Sequence, residues 1–252
     1  MFYKFYSDGK RQTVPLQGIY EGQTLFIICG SPTIQNENLE LLKQRGILTL
    51  GINNSAEIFK PNFWVGGDRP ECYSERVVLD PSILKFANYG KRDFKLKEKF
   101  WKFYPATLFY TTAEKIFTTR NFLDRDYRFC WWKNTFFIGL QLAYRLGFNK
   151  VFLIGAEFKI SKEKQYAWET NLAENEVNAN QRLYNSSVDL MRELKPLFES
   201  KNFNVSNCCR TSRLKDDFGF ISLENAVNEA IKEIPKKVDT TKLPHSLKGK
   251  LK

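Results

Sequence analysis

The chain has 252 residues, 42% of them hydrophobic and 15% aromatic, which is enough to bury the core of one domain, and it carries a formal net charge of +11. Its five cysteines (29, 72, 130, 208 and 209) are odd in number and show no C-x-x-C spacing, so neither a disulfide framework nor a zinc site is suggested, and reduced thiols in the cytoplasm are expected. No apolar run reaches the roughly 18 residues that span a bilayer, and the first twenty residues mix charge, glycine and proline unlike a secretory leader.

In chain order, residues 24–29 (TLFIIC) form a short continuous apolar run ended by Gly30-Ser31-Pro32-Thr33. Such a run suits a strand buried on both faces. Leucines 39, 41 and 42 then predict a helix over 36–43, stopped by Gly46. The runs 47–52 and 63–67 read as the next two strands, ending in Asn53-Asn54 and in Asp68-Arg69-Pro70. Two more runs lie at 83–87 and 106–110, separated by a charged interval, 91–102, that reads as a loop or mobile helix.

Residues 134–146 predict a mostly buried helix closed by Gly147 and followed by a strand, 151–154 (VFLI). A long amphipathic helix is expected over 174–201, interrupted or kinked near Pro196. A late strand, 203–208, and a last helix, 223–234 capped by Ser222 with Asn225 at the third position, complete the order. The final segment, 235–252, carries six lysines against one aspartate, hence +5 of the total charge, and reads as a flexible basic tail on a single α/β domain, 1–234. Alternating strands and helices predict a Rossmann-like, doubly wound, mainly parallel sheet whose ligand sits beyond the carboxyl ends of the strands.

The chemistry is therefore sought in the loops after strands. Gly30, Ser31 and Pro32 suit a close approach of backbone to a phosphate or ribose, or a tight turn. Asn53 and Asn54 can read a base or sugar edge, and Asp68 can accept a proton or hold a metal; each is also a common turn residue. Lys133 and Thr135 stand at a helix amino end that favours an anion or simply caps the helix. Gly155, Ala156 and Glu157 end the strand that follows. Tyr166, Trp168, Arg182 and Tyr184 could close over a nucleotide or pack in the core. The only histidine, His245, lies in the tail, so Ser-His-Asp chemistry and histidine metal clusters are disfavoured.

The segments LFIICGSPT, LGINNS, WVGGDRP and KNTFFIGLQLAYRLGFNKVFLIGAEF resemble the bacterial family 42 glycosyltransferases of the sialyltransferase type and the related archaeal 6-hydroxymethylpterin pyrophosphokinase-like family; the late NVSNCCRTSRLKDDFGFISLENAV also resembles the second group. The resemblance implies a single-domain glycosyltransferase sheet, a nucleotide-sugar donor in the carboxyl-end crevice with no tightly bound cofactor, and metal-independent inverting transfer. It implies that Gly30, Ser31 and Pro32 line phosphate and ribose, Asn53 the nucleotide, Thr135 the donor, and Gly155 to Glu157 the base pocket. Two departures stand out: the sialyltransferase base histidine has no counterpart here, and Glu157 stands where aspartate is usual. Asp68 is then the candidate base, with Lys133, Arg69 or Arg182 opposite the leaving phosphate and Tyr166 assisting.

Two other functions fit the same residues. One is a pyrophosphokinase-like transfer in which Asp68 and Glu157 hold magnesium. The other is a non-catalytic nucleotide- or nucleic-acid-binding protein, in keeping with the net charge. That charge also makes a glycan, a modified nucleic acid or an anionic membrane the expected class of acceptor.

Overall fold

A computed structural model describes residues 2–5, 10–91, 105–113, 118–124, 128–132, 134–168 and 170–232. Lys133, the tail 235–252 and most of the charged interval 91–102 lie outside the described residues.

The chain is an α/β protein built on a nine-stranded, mostly parallel sheet. In chain order the strands are β1 (Phe2–Phe5), β2 (Arg11–Val14), β3 (Thr24–Ile28), β4 (Thr49–Ile52), β5 (Phe63–Gly66), β6 (Leu84–Asn88) and β7 (Thr107–Tyr110), then β8 (Thr112–Ala113), β9 (Phe129–Cys130), β10 (Lys150–Ile154) and β11 (Asn204–Asn207). The order across the large sheet is β11-β10-β3-β4-β5-β6-β7-β1-β2, and β8 pairs with β9 separately. Every pairing from β11 to β7 is parallel. The antiparallel hairpin β1-β2 closes the far edge against β7, an element absent from the sequence-based expectation.

The helices are α1 (Glu75–Val78), α2 (Thr135–Leu146), α3 (Glu174–Ser200), α4 (Lys215–Phe218) and α5 (Leu223–Ala230). None of the described helices is long and apolar enough to cross a membrane. Successive strand residues face opposite sides of a sheet, so β3 divides its side chains between two cores. Leu25 and Ile27 pack with Phe137, Leu140, Met191 and Leu194 of α2 and α3, whereas Phe26 and Ile28 pack with Leu223 and Val227 of α5. Phe26 and Phe152 are register partners on β3 and β10, with ring centroids 5.2 Å apart. Each such fully buried ring contributes about 1.5–3 kcal/mol of transfer free energy.

Between β3 and β4 the expected helix over 36–43 is replaced by two 3₁₀ turns, Pro32–Asn36 and Leu39–Lys43, parted by Glu37 in an extended conformation. Leu39 and Leu42 are three apart, and a three-residue turn puts them on one side, where they pack on the α5-side core. In α3 the break expected at Pro196 does not occur, and the helix runs through it. Pro196 sits on the exposed face, so the carbonyl it leaves unpaired, that of Arg192, is open to water.

The end of α2 explains one glycine. Gly147 sits at φ +102°, caps the helix through the carbonyls of Ala143 and Tyr144, and passes so close to residues 18–21 that a Cβ would stand 2.8 Å from the Glu21 nitrogen. At the other end of the chain Ser222 accepts a hydrogen bond from the Asn225 amide at 3.2 Å, the cap expected from sequence.

Candidate functional site

The strand order reverses direction between β3 and β10, because β4 to β7 extend on one side of β3 while β10 and β11 lie on the other. Loops that leave neighbouring strands toward opposite sides part at such a point and open a crevice. A crevice of about 470 Å³ lies there, lined by Gly30 and Ser31 after β3, Asn53 and Asn54 after β4, Asp68 after β5, and Gly155, Ala156 and Glu157 after β10. Thr135 at the start of α2, with Tyr166, Trp168 and Tyr184, completes the set of sequence-selected residues on its walls.

Three selected residues are placed otherwise. Pro32 faces a neighbouring cavity of about 680 Å³ instead. Arg182 is exposed on α3 and belongs to the lining of neither, whereas Asn180, Leu183 and Tyr184 line the crevice. Helical phase explains this, because a residue two positions from both 180 and 184 points to the opposite side. Arg182 is therefore withdrawn as a partner of the leaving phosphate. Lys133 lies outside the described residues.

The floor of the crevice is a clasp around Glu157. This carboxylate, 5% exposed, accepts hydrogen bonds from the hydroxyls of Ser31 and Thr211 and pairs with Lys159 Nζ at 3.2 Å. Burial pulls its pKa up, but the bonds from Ser31, Thr211 and Lys159, with the Lys159 charge, outweigh it and hold the group below the usual 4.5. Ser212 Oγ donates to the Ala156 carbonyl at 2.6 Å and the Arg213 amide to that of Glu157 at 3.2 Å, so the loop after β11 is stitched to the end of β10. Glu157 thus ties together the loops that follow β3, β10 and β11.

The clasp has a pH signature. A carboxyl whose folded pKa is depressed adds stability above its unfolded value, near 4.5, and that contribution fades as pH falls through the lower folded value. We expect denaturant midpoints of the wild type to fall on acidification below 4.5, and Glu157→Gln to show a lower midpoint at neutral pH with a flatter acid limb. Equal slopes in the two proteins would remove Glu157 from the stability account.

A strap, residues 161–168 and 170–172, is bonded to the loop after β3. The Ala167 amide donates to the Gly30 carbonyl at 3.0 Å, and Gln35 Nε2 donates to the Ala167 carbonyl at 2.6 Å. Gln165 Oε1 accepts from Thr170 Oγ1 at 2.8 Å and from the Leu172 amide at 2.9 Å, which fixes the strap's own shape. The strap carries Tyr166 and Trp168, stacked at 4.8 Å with their ring planes nearly parallel, 3° apart. Trp168 lies against Gly30, where a Cβ would stand 2.4 Å from its Cη2. The indole alone is enough to require a glycine at this position. The following 3₁₀ turn has only five residues and no appreciable dipole to direct at an anion.

The amino end of α2 is better suited. This twelve-residue helix is capped by Asn134, whose side chain accepts from the Phe136 amide at 3.0 Å, and Asn134, Thr135 and Phe136 all line the crevice. Its positive end thus opens onto the site. On the opposite wall the Tyr73 hydroxyl accepts from the Asp68 amide at 2.9 Å and donates to Asn53 Oδ1 at 3.2 Å. Tyr73, Trp131, Gln165 and Leu183 are lining residues that sequence reasoning missed. Trp131 follows β9, a strand of only two residues that sets up no sequence pattern, and Tyr73, Gln165 and Leu183 stand at no strand end, so no local signal marks them.

Comparison of the chain with protein-family models, with curated proteins and with solved structures returned no match.

Proposed function

We propose that the chain is a nucleotide-sugar-dependent transferase of the glycosyltransferase type, inverting and metal-independent, working on a doubly wound Rossmann-like sheet. The observation that carries this reading is the crevice at the reversal of strand order, which gathers Asp68, Asn53, the α2 amino end and the Tyr166–Trp168 stack around one space. An aromatic pair suits a base or sugar face, and the α2 amino end suits the donor's phosphate.

In the reaction, Asp68 takes the proton of an acceptor hydroxyl as that oxygen attacks the anomeric carbon. The bond from that carbon to the phosphate oxygen breaks, and the electron pair leaves on the phosphate. Charge growing there is met by the amides that open α2 and by Lys159, the cation that lines the crevice among the described residues. The acceptor in this reading is a glycan or a modified nucleic acid.

Magnesium-dependent diphosphoryl transfer asks Asp68 and Glu157 to hold the metal. The oxygens of Glu157 are already engaged by Ser31, Thr211 and Lys159, which favours the glycosyl reading. A thermal-shift panel of nucleotides and nucleotide sugars, with and without magnesium, tests the choice. A ligand at 100 times its Kd stabilises the native state by about 2.7 kcal/mol, or a rise in Tm of roughly 5–10 °C for a chain of this size. We expect that rise for a nucleotide sugar without magnesium. A rise only with magnesium would shift the reading to the diphosphoryl transferase, and no rise with any nucleotide would overturn both.

A further inference from the structure

Tyr73 is buried and stands on the crevice wall between the loops after β4 and β5. The amide of Asp68 donates to its hydroxyl oxygen at 2.9 Å. A phenol oxygen has two acceptor positions and one proton. The Asp68 amide takes one acceptor position, and the hydroxyl gives its own proton to Asn53 Oδ1 at 3.2 Å. The Asn53 backbone that carries this carboxamide is itself anchored, at φ +50° with its carbonyl accepting from the buried Trp64 indole at 2.7 Å. Tyr73 therefore fixes which end of the Asn53 carboxamide is which. The oxygen is held on the wall, and the NH₂ is the end left for a ligand.

Resting on the transferase reading above, we propose that Tyr73 is a positioning residue that sets Asn53 as a hydrogen-bond donor, so that this wall of the crevice recognises an acceptor oxygen of the nucleotide. The chemical class is an oxygen without a proton to give: a phosphate oxygen or the carbonyl of a pyrimidine. A ligand group that donates, such as an exocyclic amine, meets two N–H bonds instead of a lone pair and is disfavoured.

The clamp predicts a slowly exchanging Tyr73 hydroxyl proton, visible by NMR in the free protein and lost in Asn53→Ala. With the carboxamide reversed, the hydroxyl has no acceptor there, and the proton exchanges with solvent. A rapidly exchanging hydroxyl in the wild type overturns the clamp whether or not any nucleotide binds.

The ligand half is tested by calorimetric titration with UDP, CMP and pyrophosphate. Asn53→Asp keeps the shape and the bond from Tyr73 but replaces the donor by an oxygen, and should weaken binding about 10–100-fold. Tyr73→Phe frees the carboxamide to turn and should weaken binding by a smaller factor, about 3–10-fold. A loss shared by pyrophosphate identifies a phosphate oxygen; a loss seen with UDP and not with pyrophosphate identifies the base carbonyl. Undiminished affinity in a folded Asn53→Asp overturns the donor assignment. Failure of the wild type to bind any of the three probes overturns the nucleotide reading and the ligand half with it, while the hydroxyl signal still decides the clamp.

Discussion

Asp68→Asn is expected to lower kcat by about 10²–10⁴ while leaving the fold and the donor affinity nearly unchanged, the usual span for removing a general base. The substitution keeps the shape and removes the proton acceptor. Asp68 is exposed on the rim of the crevice, and its backbone amide, not its carboxyl, makes the bond to Tyr73 Oη at 2.9 Å, so the wall behind it survives the change. Surface substitutions of this kind shift stability by about 0.5 kcal/mol or less. Single-turnover transfer and a binding isotherm, measured on the same preparation, separate the two effects. Activity equal to wild type would take the base role from Asp68, and a collapse of affinity only in the presence of magnesium would move Asp68 to the metal-holding role.

The sequence made legible those parts of the fold whose cause is local. Residues 24–28 and 151–154 are buried on both faces and therefore read as apolar runs, and Gly147 and Ser222 end and begin helices by their own backbone chemistry. Because the carboxyl ends of such strands converge, Gly30, Asn53, Asp68 and Glu157 could be chosen from their positions alone. The hairpin β1-β2 escaped notice because Arg11, Gln12 and Thr13 are exposed and show no alternation.

What was not legible depends on contacts between distant residues. Tyr73 acquires its part through residues 53 and 68, and nothing in its neighbours, Cys72 and Ser74, marks it. Glu157 looked like a free strand-end carboxylate until Ser31 and Thr211, 126 and 54 positions away, were found to occupy it. Arg182 failed for a more avoidable reason, since the phase of α3 that brings Tyr184 to the crevice already turns Arg182 from it.

Gly30→Val is expected to weaken nucleotide binding about 10–100-fold at a cost of about 1–3 kcal/mol in stability, the usual range for overpacking a filled site. Its backbone does not lie among the positive-φ residues, so a side chain brings no strain of that kind. The whole effect comes from volume. A Cβ would stand 2.4 and 2.7 Å from two carbons of the Trp168 ring, distances that real Cβ atoms do not hold, and 3.3 Å from Tyr166, a tight contact. The indole must therefore leave Gly30 and break its 4.8 Å stack with Tyr166, and both rings are walls of the crevice. The strap gives way more readily than the sheet, because the bonds that hold it to Gly30 and Gln35 lie at its middle, whereas β3 is paired on both sides. Tryptophan fluorescence should report the displaced ring, and titration with the nucleotide found by thermal shift should report the lost affinity. Pairing Gly30→Ala with Trp168→Leu makes room for the new methyl and separates the two causes: restored stability without restored binding assigns the indole to the ligand. Unchanged affinity in a folded Gly30→Val would show that the stack only covers the turn, and that the nucleotide takes its contacts from Asn53 and the amino end of α2.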